Sequence, residues 1–247
     1  MQEAVLESQN YDDVDERRDS VFKIDETDMR FCSRIKVLLT NECFLYLIAA
    51  GFFRFFGGYS LGFLSGGFYE AKFPEYSNGS STYAIMNAVV VIGGGLPASM
   101  LGGYLSDKLE PRFGSVKGLI AGLGALTAVP FIVIAYSISN NFWVSIFSYY
   151  IAYFLAEMWY GPSHAQINNM FPSEYQGFAV ATFNFLGAIA GTIATLLLGW
   201  LKSAYDSDEY SDEKNANING YILTGGVLFS YICCGPLFII SGIKYAN

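Results

Sequence analysis

The segment Gly102-Gly103-Tyr104-Leu105-Ser106-Asp107-Lys108-Leu109-Glu110-Pro111-Arg112 joins two long apolar runs of the chain. Its charges are confined to a connection of about ten residues, which between two membrane-crossing helices can only reverse the chain at one membrane face. Short loops that carry Lys and Arg stay on the cytoplasmic side of a membrane. The segment therefore predicts a tight cytosolic turn, and the remaining chain can be arranged on either side of it.

The composition indicates a membrane protein rather than a large soluble domain. Of the 247 residues, 53% are hydrophobic, 17% are aromatic and 15% are charged, whereas soluble domains carry roughly 25% charged residues. Much of the charge lies in residues 1–36 and 202–214, and these two segments supply most of the net charge of −8. No basic patch with interleaved aromatic residues is present, so we predict no nucleic-acid partner.

Six apolar stretches follow a polar N-terminal segment, and each is close to the ~20 residues that a helix needs to cross a bilayer. We therefore predict an all-α membrane protein with six transmembrane helices in residues 41–247. Residues 1–40 are predicted to be a largely flexible cytosolic segment with a short amphipathic helix near Phe31 to Leu39. The apolar stretches are 42–68, 83–105, 118–138, 142–163, 177–201 and 221–243.

The distribution of basic residues predicts that both termini are cytosolic. Ten lysines and arginines lie before the first stretch, between the second and third, or after the sixth; three lie on the opposite side. This asymmetry follows the positive-inside rule and agrees with an even number of spans. The chain is thus predicted to be an integral membrane protein with the lipid bilayer as a partner.

Two charged residues lie deep inside predicted spans, Arg54 in the first stretch and Glu157 in the fourth. A charge at this depth costs about 2.5–3.5 kcal/mol on insertion scales, so each should point to the bundle interior or to water. Glu157 is the natural partner for Arg54. Two interpretations stay open: a buried salt bridge that only fixes helix orientation, or a substrate or proton site.

Other polar residues extend this candidate site. Glu157 and His164 fall on one helix face with Tyr153 upstream, while Asn87 and Asn184 are single polar residues within other spans. His164 could instead have an interfacial role, and the two asparagines could simply hydrogen-bond across helices. The predicted substrate or ion cavity consists of Arg54, Asn87, Tyr153, Glu157, His164 and Asn184.

The sequence lacks the motifs of common enzymes and metal sites. It has no Walker loop, no metal-binding histidine pair and no nucleophile elbow. Its four cysteines have neither metal-ligand nor redox spacing. We therefore predict no catalytic activity, no metal ion and no other cofactor.

Glycines and prolines indicate closely packed, bent helices. Small residues at every fourth position let helix backbones touch in lipid, and Gly114, Gly118, Gly122, Gly187 and Gly191 have this spacing. Interrupted helices are common in carriers that alternate between two shapes. Four of the predicted spans contain a proline, at Pro97, Pro130, Pro162 and Pro236.

The cytosolic turn resembles the loop signature of the major facilitator superfamily, which reads Gly, any residue, Leu, small, Asp, Arg or Lys, any residue, Gly, Arg, Arg or Lys. Glu110 and Pro111 depart from this signature. Five residues match it: Gly103, Leu105, Asp107, Lys108 and Arg112.

Further segments resemble the C-terminal half of such carriers. The polar opening is similar to the linker between halves, and the region from Trp159 to Gly177 is similar to the tenth helix and its following turn. Leu38-Leu39-Thr40-Asn41 and the segment from Arg54 to Tyr59 look like Spinster-type carriers. The resemblance covers about residues 35–247.

The resemblance implies a fold, a cavity and a partner. The chain would be half of a major-facilitator-type bundle, and the spans with Arg54 and Glu157 would line its transport cavity. A complete carrier has twelve spans, so a second six-helix half is implied, either another copy or a separate chain. The loop would gate the inward-facing and outward-facing states through Gly103, Asp107, Lys108 and Arg112.

Two functional hypotheses follow. The first is a half-size secondary carrier that moves a small organic solute by alternating access. The solute would be either an organic anion attracted by Arg54 or a lipid-like molecule, and Glu157 or His164 would couple protons. The second is a non-transporting six-helix bundle, a structural subunit or truncated remnant in a larger membrane assembly. A water-filled cavity that reaches Arg54 would favour the carrier; a dry, fully packed pair would favour the structural subunit.

Overall fold

The computed structural model describes residues 31–205 and 212–246, and all regular structure in these ranges is helical. The described residues divide into two units between Thr40 and Asn41. The first unit contains helix α1 (Phe31–Thr40), at the position predicted for a short helix. The predicted flexible residues 1–30 lie outside the described residues, and the membrane-surface position of α1 stays a prediction.

The second unit is a bundle of long helices. Five of them, within the described ranges, are long and apolar enough to cross a membrane: Glu42–Lys72, Thr82–Leu109, Val116–Ile138, Ser173–Tyr205 and Glu213–Ala246. In chain order its helices are α2 (Glu42–Lys72), the one-turn α3 (Pro74–Ser77), α4 (Thr82–Leu109), α5 (Val116–Ile138), α6 (Phe142–Glu157), α7 (Tyr160–Met170), α8 (Ser173–Tyr205) and α9 (Asp212–Ala246).

The fourth predicted span is not one helix. It is divided into α6, with 16 residues, and α7, with 11 residues. Pro162 has no N–H to donate to the carbonyl of Met158, so it disfavours a continuous helix there, while its missing N–H costs nothing in the first turn of α7. A crossing made jointly by α6 and α7, and hence a count of six spans, stays a prediction.

The other prolines have different local effects. Before Pro97, α4 contains a π-helical segment at Val89–Gly95, and Tyr150 donates a hydrogen bond of 3.3 Å to the carbonyl of Gly93, the carbonyl that Pro97 cannot bind. A second π-helical segment, Ile134–Ile138, follows Pro130 in α5. By contrast, α9 continues through Pro236. The predicted bends are thus specific to context.

The core of the bundle lies around α2 and α9. Helix α9 packs against α2 and α5, while α8 packs against α2 and α6 packs against α5. Helix α4 is the least buried of the five long helices, and its exposed residues Ile92, Leu96 and Met100 are apolar, as expected for a surface that faces lipid. Large side chains that fill the core include Phe44, Phe68, Tyr69, Phe183, Tyr231 and Phe238.

The glycine spacing creates two kinds of contact. A Cβ atom at Gly118 would collide with the carbonyl of Phe238, and one at Gly122 would collide with the carbonyl of Gly235, so the backbones of α5 and α9 touch as predicted. At Gly187 and Gly191 on α8, the space is filled by aromatic rings of α2. The prediction of backbone contact is wrong there, because the rings of α2 lie between the two helices.

Candidate functional site

Arg54 lies in the interior of the bundle and is only 2% exposed. Its Nη2 atom donates a hydrogen bond of 2.7 Å to Oε1 of Glu157. Its Nε and Nη2 atoms also donate to the carbonyl oxygen of Ala156, at 3.2 and 3.1 Å. The predicted partnership of Arg54 with Glu157 is confirmed, and the guanidinium group lies inside the bundle.

The interruption between α6 and α7 provides the carbonyl that Arg54 binds. The last four carbonyl groups of an α-helix have no partner within the helix. Because α6 ends at Glu157, the carbonyl of Ala156 belongs to this last turn. The helix end thus presents a carbonyl dipole and a carboxylate to the same guanidinium group.

Two aromatic rings complete the surroundings of Arg54. Its Cζ atom lies 5.5 Å from the ring centroid of Trp159 and 5.1 Å from that of Tyr231, distances at which cation–π attraction operates. Neither ring was predicted as a site residue. Trp159 could have been suspected from its place beside Glu157, but nothing in the sequence separates Tyr231 from the many other aromatic residues.

A cavity of about 300 Å³ lies beside the ion pair. Arg54, Tyr153, Glu157, Trp159 and Tyr160 are among the residues that line it. The Glu157 side chain is 20% exposed, against 2% for Arg54, so the carboxylate is the more accessible member of the pair. Among the described residues, the pair is therefore not fully enclosed and is accessible from the cavity through Glu157.

A second cavity of about 230 Å³ adjoins the first. Both are lined by Gly58, Gly62 and Tyr153, and the second also includes Asn87. The structure therefore brings four of the predicted residues to two adjoining cavities: Arg54, Asn87, Tyr153 and Glu157.

The two remaining candidates lie elsewhere. His164 is half-buried, with Nδ1 3.0 Å from the carbonyl oxygen of Tyr160 and its ring 4.2 Å from the Tyr160 ring. It lies next to a residue of the first cavity but lines neither cavity. Asn184 is half-buried on α8 and also lines neither cavity.

The predicted gate loop is at the end of α4. Gly103 lies against Gly161 at the start of α7, so α4 closely approaches the interruption beside Arg54. Asp107, Lys108 and Arg112 are exposed, and Lys108 lies 5.7 Å from the ring centroid of Tyr104. The gating role of these residues stays a prediction.

No group of three or more His, Cys, Asp or Glu side chains that could hold a metal ion occurs within residues 31–205 and 212–246. A bundle of long apolar helices, with an ion pair held inside it beside a cavity, defines an integral membrane protein with a buried polar site. The profile of the Major Facilitator Superfamily matches residues 10–195, and the chain belongs to this family. It is therefore a member of a family of membrane transporters, as its sequence features had suggested.

Two solved structures of a bacterial homolog to the human lysosomal transporter Spinster have a similar fold. The inward-facing, unoccupied form has a TM-score of 0.70 and 15% identity, and the match covers 90% of this chain and 52% of that protein. The inward-facing, occupied form has a TM-score of 0.58 and 17% identity, with coverage of 82% and 48%. This chain spans about half the length of that homolog. No curated protein matches the sequence.

Proposed function

We propose that this chain provides one half of an alternating-access carrier that moves a small organic anion across a membrane. The observation that carries the proposal is a buried guanidinium group, Arg54, held by a carboxylate on the wall of a cavity of about 300 Å³. Intramembrane charges that face a cavity commonly mark substrate or ion pathways. In this proposal residues 41–247 form the transport unit, and both termini are cytosolic.

Arg54 retains hydrogen-bonding capacity toward the cavity. Its interactions with Glu157 and Ala156 use Nε and Nη2. The remaining nitrogen, Nη1, lies beside Gly58, which lines both cavities. An anionic group there would form charge-assisted hydrogen bonds, which are shorter and stronger than neutral ones. The chemistry of the site therefore favours an anion over an uncharged lipid.

Glu157 is the residue we propose for proton coupling. It contacts Arg54 directly and lines the cavity, whereas His164 contacts Tyr160. A protonated Glu157 would attract Arg54 less, leaving the guanidinium group freer to bind the substrate. Proton uptake and anion binding would then favour each other.

A structural subunit is the second candidate function. The observation that favours it is the dense set of partners around Arg54, which includes Ala156, Glu157, Trp159 and Tyr231. A residue held in this way can fix helix orientation without binding any solute. The adjoining cavities favour the carrier, because a purely structural pair gains nothing from the open space beside it.

The test is uptake of radiolabelled benzoate, a minimal aryl anion, into proteoliposomes that contain the purified chain with any chain that copurifies. We expect Arg54→Gln to lower uptake by about tenfold or more, because a hydrogen bond to a charged group contributes about 1.5–3 kcal/mol. Lys244→Gln is the matched control, since that cation is 46% exposed and pairs with Glu42 outside the cavities. Uptake by Arg54→Gln at the level of the unmodified chain would contradict the role of Arg54 in substrate binding, and no uptake by the unmodified chain would contradict the carrier function.

A further inference from the structure

The two cavities follow one another along helix α2. The first is lined by α2 residues from Arg54 to Gly62, and the second by residues from Gly58 to Gly66. At 1.5 Å per residue, the helix rises about 18 Å between Arg54 and Gly66. Together the cavities are long enough for a molecule with two distinct ends.

Three glycines of α2 line the cavities: Gly58 and Gly62 line both, and Gly66 lines only the second. Gly58, Gly62 and Gly66 recur at every fourth position and so lie on one face of α2. A Cβ atom at Gly62 or Gly66 would meet nothing within 4 Å, and one at Gly58 would meet only Nη1 of Arg54, at 3.2 Å. Glycine is a poor helix former, and no neighbouring helix within residues 31–205 and 212–246 approaches closely enough to require it at Gly62 or Gly66. What these residues provide is room along the cavities.

The ends of this space differ in chemistry. The end at Arg54 is lined by the ion pair of Arg54 and Glu157 and by the aromatic rings of Trp159 and Tyr160, and Nη1 of Arg54 is not used by that pair. None of the described residues that line the other end is charged. Its lining combines two aliphatic side chains with hydroxyl and amide groups: Leu61, Val91, Ser65, Tyr83, Asn87 and Tyr149. The first end therefore suits an aryl anion, and the second suits uncharged groups that form hydrogen bonds.

We propose that the two cavities form a single elongated substrate site for an aryl anion that carries a hydroxyl-rich, uncharged group. The proposal builds on the carrier function above. The anionic group would bind Nη1 of Arg54, the aryl ring would lie against Trp159 and Tyr160, and the hydroxyl groups would reach Asn87. An alkyl tail in the second cavity would offer no hydrogen bond to the amide group of Asn87, which is unfavourable.

The test is isothermal titration calorimetry with three probes on the detergent-purified protein. The probes are 4-carboxyphenyl β-D-glucopyranoside, benzoate and 4-hexyloxybenzoate. We expect Gly66→Leu, which fills only the second cavity, to raise the dissociation constant of the glucoside about tenfold or more and to leave that of benzoate unchanged. Gly225→Leu is the matched control: a Cβ there also meets nothing within 4 Å, but the residue lines neither cavity.

The outcomes separate this inference from the carrier function. Arg54→Gln should weaken the binding of all three probes, and unchanged binding would contradict the anion site at Arg54 on which the proposed function rests. If Arg54→Gln weakens binding but Gly66→Leu leaves the dissociation constant of the glucoside unchanged, the elongated site is contradicted while the carrier function still stands. Tighter binding of 4-hexyloxybenzoate than of the glucoside overturns the hydroxyl-rich assignment. Asn87→Leu, on α4, should also weaken the binding of the glucoside but not that of benzoate. This variant replaces Gly66→Leu in the test if Gly66→Leu does not fold.

Discussion

Lys117 is a buried cation at the start of α5, just after the predicted cytosolic turn. Its side chain has no exposed area, and its Nζ atom donates to Oε1 of Glu110. The hydroxyl group of Tyr245 donates to the same carboxylate oxygen, at 3.0 Å, and the Tyr245 ring centroid lies 5.1 Å from Nζ. Glu110 is one of the two departures from the family signature, and it neutralises the only buried lysine among the described residues.

We predict that Glu110→Gln lowers the free energy of unfolding by about 1–3 kcal/mol, because it removes the charged partner of a buried group. The double variant Glu110→Gln/Lys117→Met should recover most of this loss, since replacing both members of a buried pair by neutral groups is often harmless. Thermal unfolding in detergent, followed by circular dichroism, measures both. Glu42→Gln, at the exposed pair with Lys244, should leave the melting temperature unchanged.

The pairing of Arg54 with Glu157 was predictable from sequence because few charges lie inside apolar stretches and each needs a partner. The aromatic surroundings were not predictable in the same way. Trp159 and Tyr231 are two of many aromatic residues, and an aromatic side chain is acceptable both in lipid and in a core. The burial of Lys117 was also missed, because a lysine next to a polar turn is compatible with full hydration.

At the level of helices, hydropathy identified the long apolar elements correctly but not the interruption of the fourth. Pro162 coincides with a divided helix, whereas α9 continues through Pro236. The same residue type thus has two outcomes. At the interruption, the carbonyl of Ala156 is bound by Arg54 on the distant helix α2, and local sequence does not reveal such a contact.

The contact between α5 and α9 gives a prediction at this scale. We expect Gly118→Ala to destabilise the protein by about 1–3 kcal/mol, because the added methyl group overpacks a backbone contact with Phe238 and Gly242. Gly225→Ala, in open space on α9, should be neutral or stabilising by up to about 1 kcal/mol, because alanine favours the helix. Chemical or thermal unfolding of the purified variants measures the difference. Equal effects at both positions would mean that α5 and α9 are not in backbone contact.

For the whole molecule, the central question is what covers the cavity. The chain spans about half the length of the solved carrier with a similar fold, and aromatic residues beside the cavity are substantially exposed, Tyr59 at 47% and Tyr160 at 42%. Sequence alone predicted the family but could not identify the second half, because an interface with another chain leaves no periodic signal of its own.

We predict that the functional particle contains two such halves, so that its protein mass is about twice the 27.2 kDa of this chain in a homodimer. Light scattering coupled to size exclusion in detergent measures the mass, and mass spectrometry identifies any second chain. A particle with a single copy that still binds benzoate through Arg54 would contradict the need for a second half.

The gap between α6 and α7 has one more consequence. In an unbroken α-helix, the amide of Tyr160 would donate to the carbonyl of Ala156, four residues earlier. That oxygen now accepts from Arg54. Straightening of the gap would direct the Tyr160 amide at the oxygen that accepts two hydrogen bonds from Arg54, so the guanidinium group would have to share or release it. The two residues between α6 and α7, Met158 and Trp159, thus connect the shape of one crossing to the hydrogen bonding of the charge beside it.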